Sequence, residues 1–218
     1  YSRVAARLLA ASIDDRQEQL GLRDFASAME HAFATGCLQP RVIEFVRLHG
    51  TALSAAIDAR RTDELDYPGL RTLLDRFLLR DPDSGLPIEG PQQFWMRIAV
   101  ACSDDPDEAI ELYRVMSTLE YLPSDETLRH AGTPSEFLSS CYLLDSPGNA
   151  PDSPSERTRE IDQLARTSGD ITVAWNRARV GDALGPVVES GGESGRFRPG
   201  ISCIYLEPWH IDIERCIE

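Results

Sequence analysis

The chain contains no lysine: all 22 basic residues are arginine, set against 36 Asp and Glu, for a formal net charge of −14 over 218 residues. No mechanism follows from the missing lysine, but the balance of sign does exclude partners. An acidic chain without a basic cluster is poorly suited to hold a nucleic-acid backbone or an anionic membrane surface. Long apolar runs are absent too. None approaches the roughly 20 residues of a membrane-spanning helix, and no signal-peptide pattern opens the chain. The first residue is Tyr1 rather than Met, as expected of an excerpt or a trimmed chain.

Metal and disulfide chemistry are equally short of material. The cysteines are Cys37, Cys102, Cys141, Cys203 and Cys216, an odd number at wide spacings with no Cys-x-x-Cys. That pattern fits reduced thiols in the cytoplasm. His31, His49, His130 and His210 form no His-x-x-x-His or His-x-His pair, so no metal site is expected, because structural zinc needs clustered ligands. "GGESG" is followed by neither Gly-Lys-Ser/Thr nor a helix start, which removes a phosphate-cradling loop of that type.

What the chain does have is 42% hydrophobic residues, enough for a real core. The first half reads as helices. "SRVAARLLAASI" puts Val4, Leu8 and Leu9 on one face, with Ser2 a candidate cap. "LRDFASAMEHAFATG" spaces Phe25, Met29 and Phe33 at i, i+4, i+8, with Gly36 a candidate stop. A third helix starts at Pro40, with a break expected near Gly50. "YPGLRTLLDRFLL" and "GPQQFWMRIAVACS" continue the pattern on either side of the turn "RDPDSGLP", and "DPDEAIELYRVMSTLEYL" carries acidic residues in its first turn, where the helix dipole favours them. Apolar stripes of this kind are core, so Met29 and Met116 are read as packing residues.

After Pro123 the character changes. "FLSSCYLL", "DITVAW" and "ISCIYLE" are short, apolar and rich in β-branched or aromatic residues, the signature of strands. A loop and a polar helix at about 155–166 separate the first two, and the glycine-rich "GGESGRFRPG" precedes the third. Strand, helix, strand in that order predicts a parallel α/β unit rather than hairpins.

Three blocks in sequence carry a resemblance: "LDYPGLRTLLDRFLLRD…LPIEGPQQFWMRIAVACS", "TLRHAGTP…FLSSCYLL" and "RPGISCIYLEPWHIDI". In that order they resemble the large subunit of ribonucleotide reductase. The likeness covers most of residues 1–145 and about 198–213. The implied fold is a mostly α N-terminal region, residues 1–122, followed by α/β structure, residues 123–218. The latter would be a partial reductase-like α/β barrel, with first strands near 137–144, 169–175 and 200–206. The nucleotide-binding cone that many members carry is absent from these residues.

The resemblance also implies a chemistry, the reduction of ribonucleotides to deoxyribonucleotides by a thiyl radical and a pair of reducing cysteines. Cys141 matches the first of that pair, and Ser140 the serine beside it that faces the substrate. Asp125, Ser168 and Gly169 fall at substrate-binding positions. Asp152, Arg177 and Arg179 fall near the family's effector-binding residues. No cofactor is implied on these residues. A radical source would come from elsewhere, either a small metal-bearing subunit or cobalamin. The radical Cys, its Glu and Asn neighbours, the second reducing Cys and the tail dithiol are all expected beyond Glu218, supplied by further sequence or a complementary large-subunit piece.

Departures from the family pattern open alternatives. Asp125 stands where members have a phosphate-contacting Thr, Glu126 is beside it, and His130 replaces an Asn. Two carboxylates aimed at a diphosphate repel it, strongly if desolvated. The segment between "DALGPV" and "SGGESG" is also much shorter than the family's dimer-building helix. Two other readings therefore stand beside the first: a truncated non-catalytic relative that binds a nucleoside or a protein, and an enzyme acting on unphosphorylated nucleosides. Cys141 itself has a bland reading as a core thiol, since free Cys is among the most buried residue types. Pairing with Cys203 has no support in the sequence. Glu207, Pro208, Trp209 and His210 are read as architecture, because Trp and His at a strand end pack and hydrogen-bond.

Overall fold

A computed structural model describes residues 2–135, 138–139, 141–144, 170–174, 202–211 and 213–214. The chain divides into two compact units, Tyr1–Leu138 and Ser139–Glu218.

The first unit is helical. It comprises α1 (Ser2–Gln19), α2 (Phe25–Ala34), α3 (Pro40–Ala56), a 3-10 turn (Ala59–Glu64), α4 (Tyr67–Arg76), α5 (Pro91–Ala101), α6 (Pro106–Ser117) and α7 (Asp125–His130). Side chains at the boundaries account for most of these ends. Asp24, Asp66, Asp105 and Ser124 each accept a hydrogen bond from the backbone N–H two or three residues on, satisfying donors that the first turn leaves unpaired. Pro40, Pro91 and Pro106 open their helices, where a missing N–H is harmless. Gly36, at φ 74, follows the C-cap of α2 in the left-handed conformation that glycine adopts without strain.

The core is organised around α5. Every residue from Pro91 to Val100 is buried, including Trp95, Met96 and Arg97. A helix apolar on one stripe covers a surface, whereas a helix buried all round forms the centre. Around it pack Phe25 and Met29 of α2, Val42, Ile43 and Val46 of α3, Leu70 and Leu74 of α4, and Tyr113 and Met116 of α6. Met29 and Met116 are fully buried, as their stripes predict.

Three local expectations need correction. On α1 the buried face is Ala6, Ile13 and Gln17, with Leu9 half-buried against the core as expected, while Val4 and Leu8 are 64% and 69% exposed. Val4 and Leu8 form an i, i+4 pair on another side of the helix, and a single pair does not outweigh a face repeated over three turns. Helix α3 runs unbroken through Gly50, which meets only Ala26 and Val46 side chains at ordinary contact distance. A glycine inside a well-packed helix costs only about 1 kcal/mol against alanine, too little to end it. Finally, α1 begins at Ser2 itself rather than after it.

The second unit contains a three-stranded sheet of β1 (Cys141–Leu144), β2 (Asp170–Ala174) and β3 (Ser202–Tyr205), in that spatial order. Both pairings are parallel, with Cys141 opposite Asp170 and Thr172 opposite Cys203. Parallel neighbours cannot be joined by a hairpin and need a crossover, as the strand, helix, strand order predicts. The helix expected at 155–166 lies outside the described residues.

Candidate functional site

The geometry of α7 comes from its first turn. Ser124 caps the helix, its Oγ accepting from the N–H of Thr127 at 3.3 Å. The Thr127 hydroxyl donates to the carbonyl oxygen of Leu138 at 2.9 Å. The helix thereby holds the chain at Leu138, the last residue of the first unit.

The Asp125 carboxylate does not stand bare. Arg129 donates to it through Nε at 2.8 Å, and Arg76 lies 3.3 Å away. Both guanidinium groups also stack on the Phe77 ring, at 5.1 Å and 5.4 Å from its centroid. The Asp125 carboxylate is therefore shared between two arginines. The repulsion expected from the sequence is weakened accordingly. Exposed ion pairs contribute little individually, but here the shared aromatic ring restricts both guanidinium groups. Glu126 keeps one carboxylate oxygen buried without a protein hydrogen-bond partner.

His130 ends the helix and is buried. Burial first, then the Arg129 guanidinium, pushes its imidazole below the ordinary value, favouring the neutral ring at pH 7. The turn that follows is tied down at each residue. The hydroxyl of Thr133 donates to the His130 carbonyl at 2.8 Å, the N–H of Gln39 donates to the Gly132 carbonyl at 2.8 Å, and Arg97 Nη1 donates to the Ala131 carbonyl. Arg97 is in turn forked onto Glu89 through two 2.9 Å bonds, with both side chains fully buried. Glu89 Oε1 also accepts the N–H of Leu79 at 3.0 Å.

In the second unit, Cys141 is a free, exposed thiol on β1, one of the two outer strands of the sheet among the described residues. Side chains alternate along a strand, and Cys141 shares its exposed face with Leu143, which is 80% exposed. The bland reading of Cys141 as a buried core thiol is therefore overturned. A Cys141–Cys203 disulfide is also excluded. The two cysteines lie on strands separated by β2 and two residues out of register, so their Cα atoms are more than about 9 Å apart at strand spacing, beyond the roughly 4.4–6.8 Å reach of a disulfide. His210 is buried at the end of the strand region while Trp209 is 77% exposed.

Of the residues expected to act, Asp125 and Cys141 are described. Ser140, Ser168, Gly169, Asp152, Arg177 and Arg179 lie outside the described residues. The helix α7 and the pairing of Arg97 with Glu89 are not among the expectations drawn from the sequence. The signals were present: a serine followed by two acids, and single charges within a segment otherwise suited to burial. Among the described residues no cluster of His, Cys, Asp or Glu could hold a metal ion, and no helix is long and apolar enough to cross a membrane.

Comparison with known proteins places this arrangement. Residues 63–136, from the end of the 3-10 turn through α7 and its following turn, match the family model described as the ribonucleotide reductase all-alpha domain. The chain is 30% identical to the ribonucleoside-diphosphate reductase large subunit of Plasmodium falciparum isolate Dd2, over 81% of this chain and 24% of that protein. It is 26% identical to the large subunit from Arabidopsis thaliana, over 100% of this chain and 29% of that protein. It is 30% identical to the alpha subunit from Chlamydia trachomatis serovar D, over 100% of this chain and 23% of that protein. Within the helical unit, it is residues 63–136 that carry the likeness to the ribonucleotide reductase all-alpha domain. The whole-chain matches support a large-subunit N-terminal region, and the chain spans about a quarter of the length of these relatives.

Proposed function

We propose that this chain is the part of a ribonucleotide reductase large subunit that begins the catalytic barrel, and that it contributes to the reduction of ribonucleotides. The three parallel strands are the barrel's first, and Cys141 is one of its two reducing thiols. Oxidation of two thiols to a disulfide yields the two electrons and two protons needed to replace the ribose 2′-hydroxyl by hydrogen with loss of water. Cys141 supplies one thiol. The other, with the thiyl-radical cysteine, comes from further sequence or a complementary chain, and the radical source from a partner subunit or cobalamin. Asp125, Ser140, Ser168 and Gly169 lie along the substrate; Asp152, Arg177 and Arg179 serve an effector nucleotide. The observation that carries this reading is the free thiol of Cys141, exposed on the first strand of a parallel sheet.

The test uses the complete polypeptide or complex in which this chain occurs. Cys141→Ser is expected to abolish deoxyribonucleotide formation while leaving nucleotide binding intact. Turnover equal to the parent's overturns the assignment and favours a non-catalytic binding module.

A second reading, action on an unphosphorylated nucleoside, draws support from the buried, unpartnered oxygen of Glu126, an acceptor suited to a hydroxyl donor. Calorimetry with a ribonucleoside and its diphosphate separates the two, and preference for the diphosphate ends the second.

A further inference from the structure

Arg97 and Glu89 are both 0% exposed at the side chain. Removing two charges from water is expensive, and a buried ion pair is frequently no more stabilising than well-packed apolar residues of similar volume. Stability alone is therefore a weak account of the pair. Its hydrogen bonds offer a better one. Two of the Arg97 donors engage Glu89, and a third reaches the Ala131 carbonyl in the turn that follows α7. The guanidinium also lies 5.3 Å from the Phe94 ring centroid, which fixes its plane. Glu89 Oε1 accepts a further bond from the Leu79 N–H. Both partners thus end on backbone atoms of connecting segments, one at Leu79 and one at Ala131.

Ala131 belongs to a short run of linked bonds. Its own N–H donates to Thr127 O at 2.9 Å, and Thr127 through its hydroxyl holds Leu138. Gly132 next to it leaves no slack: a Cβ there would lie 3.4 Å from Arg97 Cγ, Val42 Cγ2 and Ala101 Cβ. We infer that the Arg97–Glu89 pair is a positioning device, which anchors the Ala131–Thr133 turn to α5 and so orders α7 and its grip on Leu138. The pair touches no ligand. Its consequence for substrate binding rests on the function proposed above; the ordering itself does not.

The test replaces both charges together, Glu89→Leu with Arg97→Met, so that no lone buried charge remains. In the full-length protein, thermal stability is expected to fall only modestly, because the Leu79 N–H and the Ala131 carbonyl lose their partners while no lone charge stays buried. The backbone amides of residues 127–135 should exchange about tenfold faster, with those of α2 and α3 unchanged. Affinity for a ribonucleoside diphosphate should fall by about the same factor. Unchanged exchange at 127–135 overturns the inference, as does acceleration spread evenly over the helical unit, which marks a purely structural pair. Should the double variant fail to fold, Arg97→Lys keeps the charge but loses the fork and the third bond, and the same local acceleration is required of it. If the parent binds no nucleotide, the proposed function fails, while the exchange measurement still decides the inference.

Discussion

Arg97 and Glu89, eight residues apart across the start of α5, face each other through two parallel 2.9 Å hydrogen bonds with neither side chain reaching solvent. This forked geometry couples the most buried of the described helices to the backbone on both sides of it, at Leu79 and Ala131. It makes the central helix a mounting for the loops.

The energetic signature of such a pair is asymmetric. Arg97→Met alone leaves Glu89 buried without its counter-charge, and the loss of stability is expected to be about 3–5 kcal/mol. Urea denaturation of the single variant beside the Glu89→Leu/Arg97→Met double variant checks this: the single should be clearly the less stable of the two.

Gly132 has φ 80 and is packed against Val42, Arg97 and Ala101. A side chain at this position meets both the left-handed backbone penalty and a close fit. Gly132→Ala is expected to lower stability by about 1–2 kcal/mol, read as a lower denaturation midpoint with an unchanged slope.

Leu119 is the one described residue other than glycine at positive φ, 60. It sits just past the Thr118 C-cap of α6. Its N–H donates to Met116 O and the N–H of Glu120 to Val115 O, each at 3.0 Å. This paired arrangement at a helix end is one that glycine fills best. Relief of left-handed strain, about 1–2 kcal/mol, exceeds the added unfolded-state entropy, about 0.4–1 kcal/mol. Leu119→Gly should therefore raise stability by about 0.5–1 kcal/mol, and a lower melting temperature would contradict the strain argument.

Asp81 predicts a dependence on pH. Bonds from the Ser84 N–H, then from the His31 ring and the Ser84 hydroxyl, hold its carboxyl down at about 2 against an ordinary 3.8. The folded state thus favours the charged form. The contribution is fully present above pH 3.8, and it is lost as pH falls through about 2. Asp81→Asn should be less stable than the parent at pH 5, and the gap should close towards pH 2. A constant gap over that range contradicts the assignment.

Much of this was readable along the chain, for identifiable reasons. Helix ends were legible where a local residue does the work, as at Pro40, Gly36 and the acidic first turn of α6. The parallel sheet followed from element order, since adjacent parallel strands require a long connection. Val4 and Leu8 misled because a one-dimensional stripe names two faces and does not say which one meets a neighbour. Arg97 escaped notice because burial of a charge is decided by partners distant in sequence or on the backbone, here Glu89 and Ala131.

By itself, the sequence determined most of the described helices, the three short strands and their parallel pairing, the family likeness and the choice of Cys141 as the thiol worth testing, because each depends on local pattern or on a run of adjacent residues. Only the tertiary structure decided that Asp125 is shared between Arg76 and Arg129, that Cys141 is exposed and out of reach of Cys203, and that a buried ion pair ties α5 to the turn after α7. Those relations join residues that the chain separates and folding brings together, and electrostatic and hydrogen-bond energies depend on that distance in space.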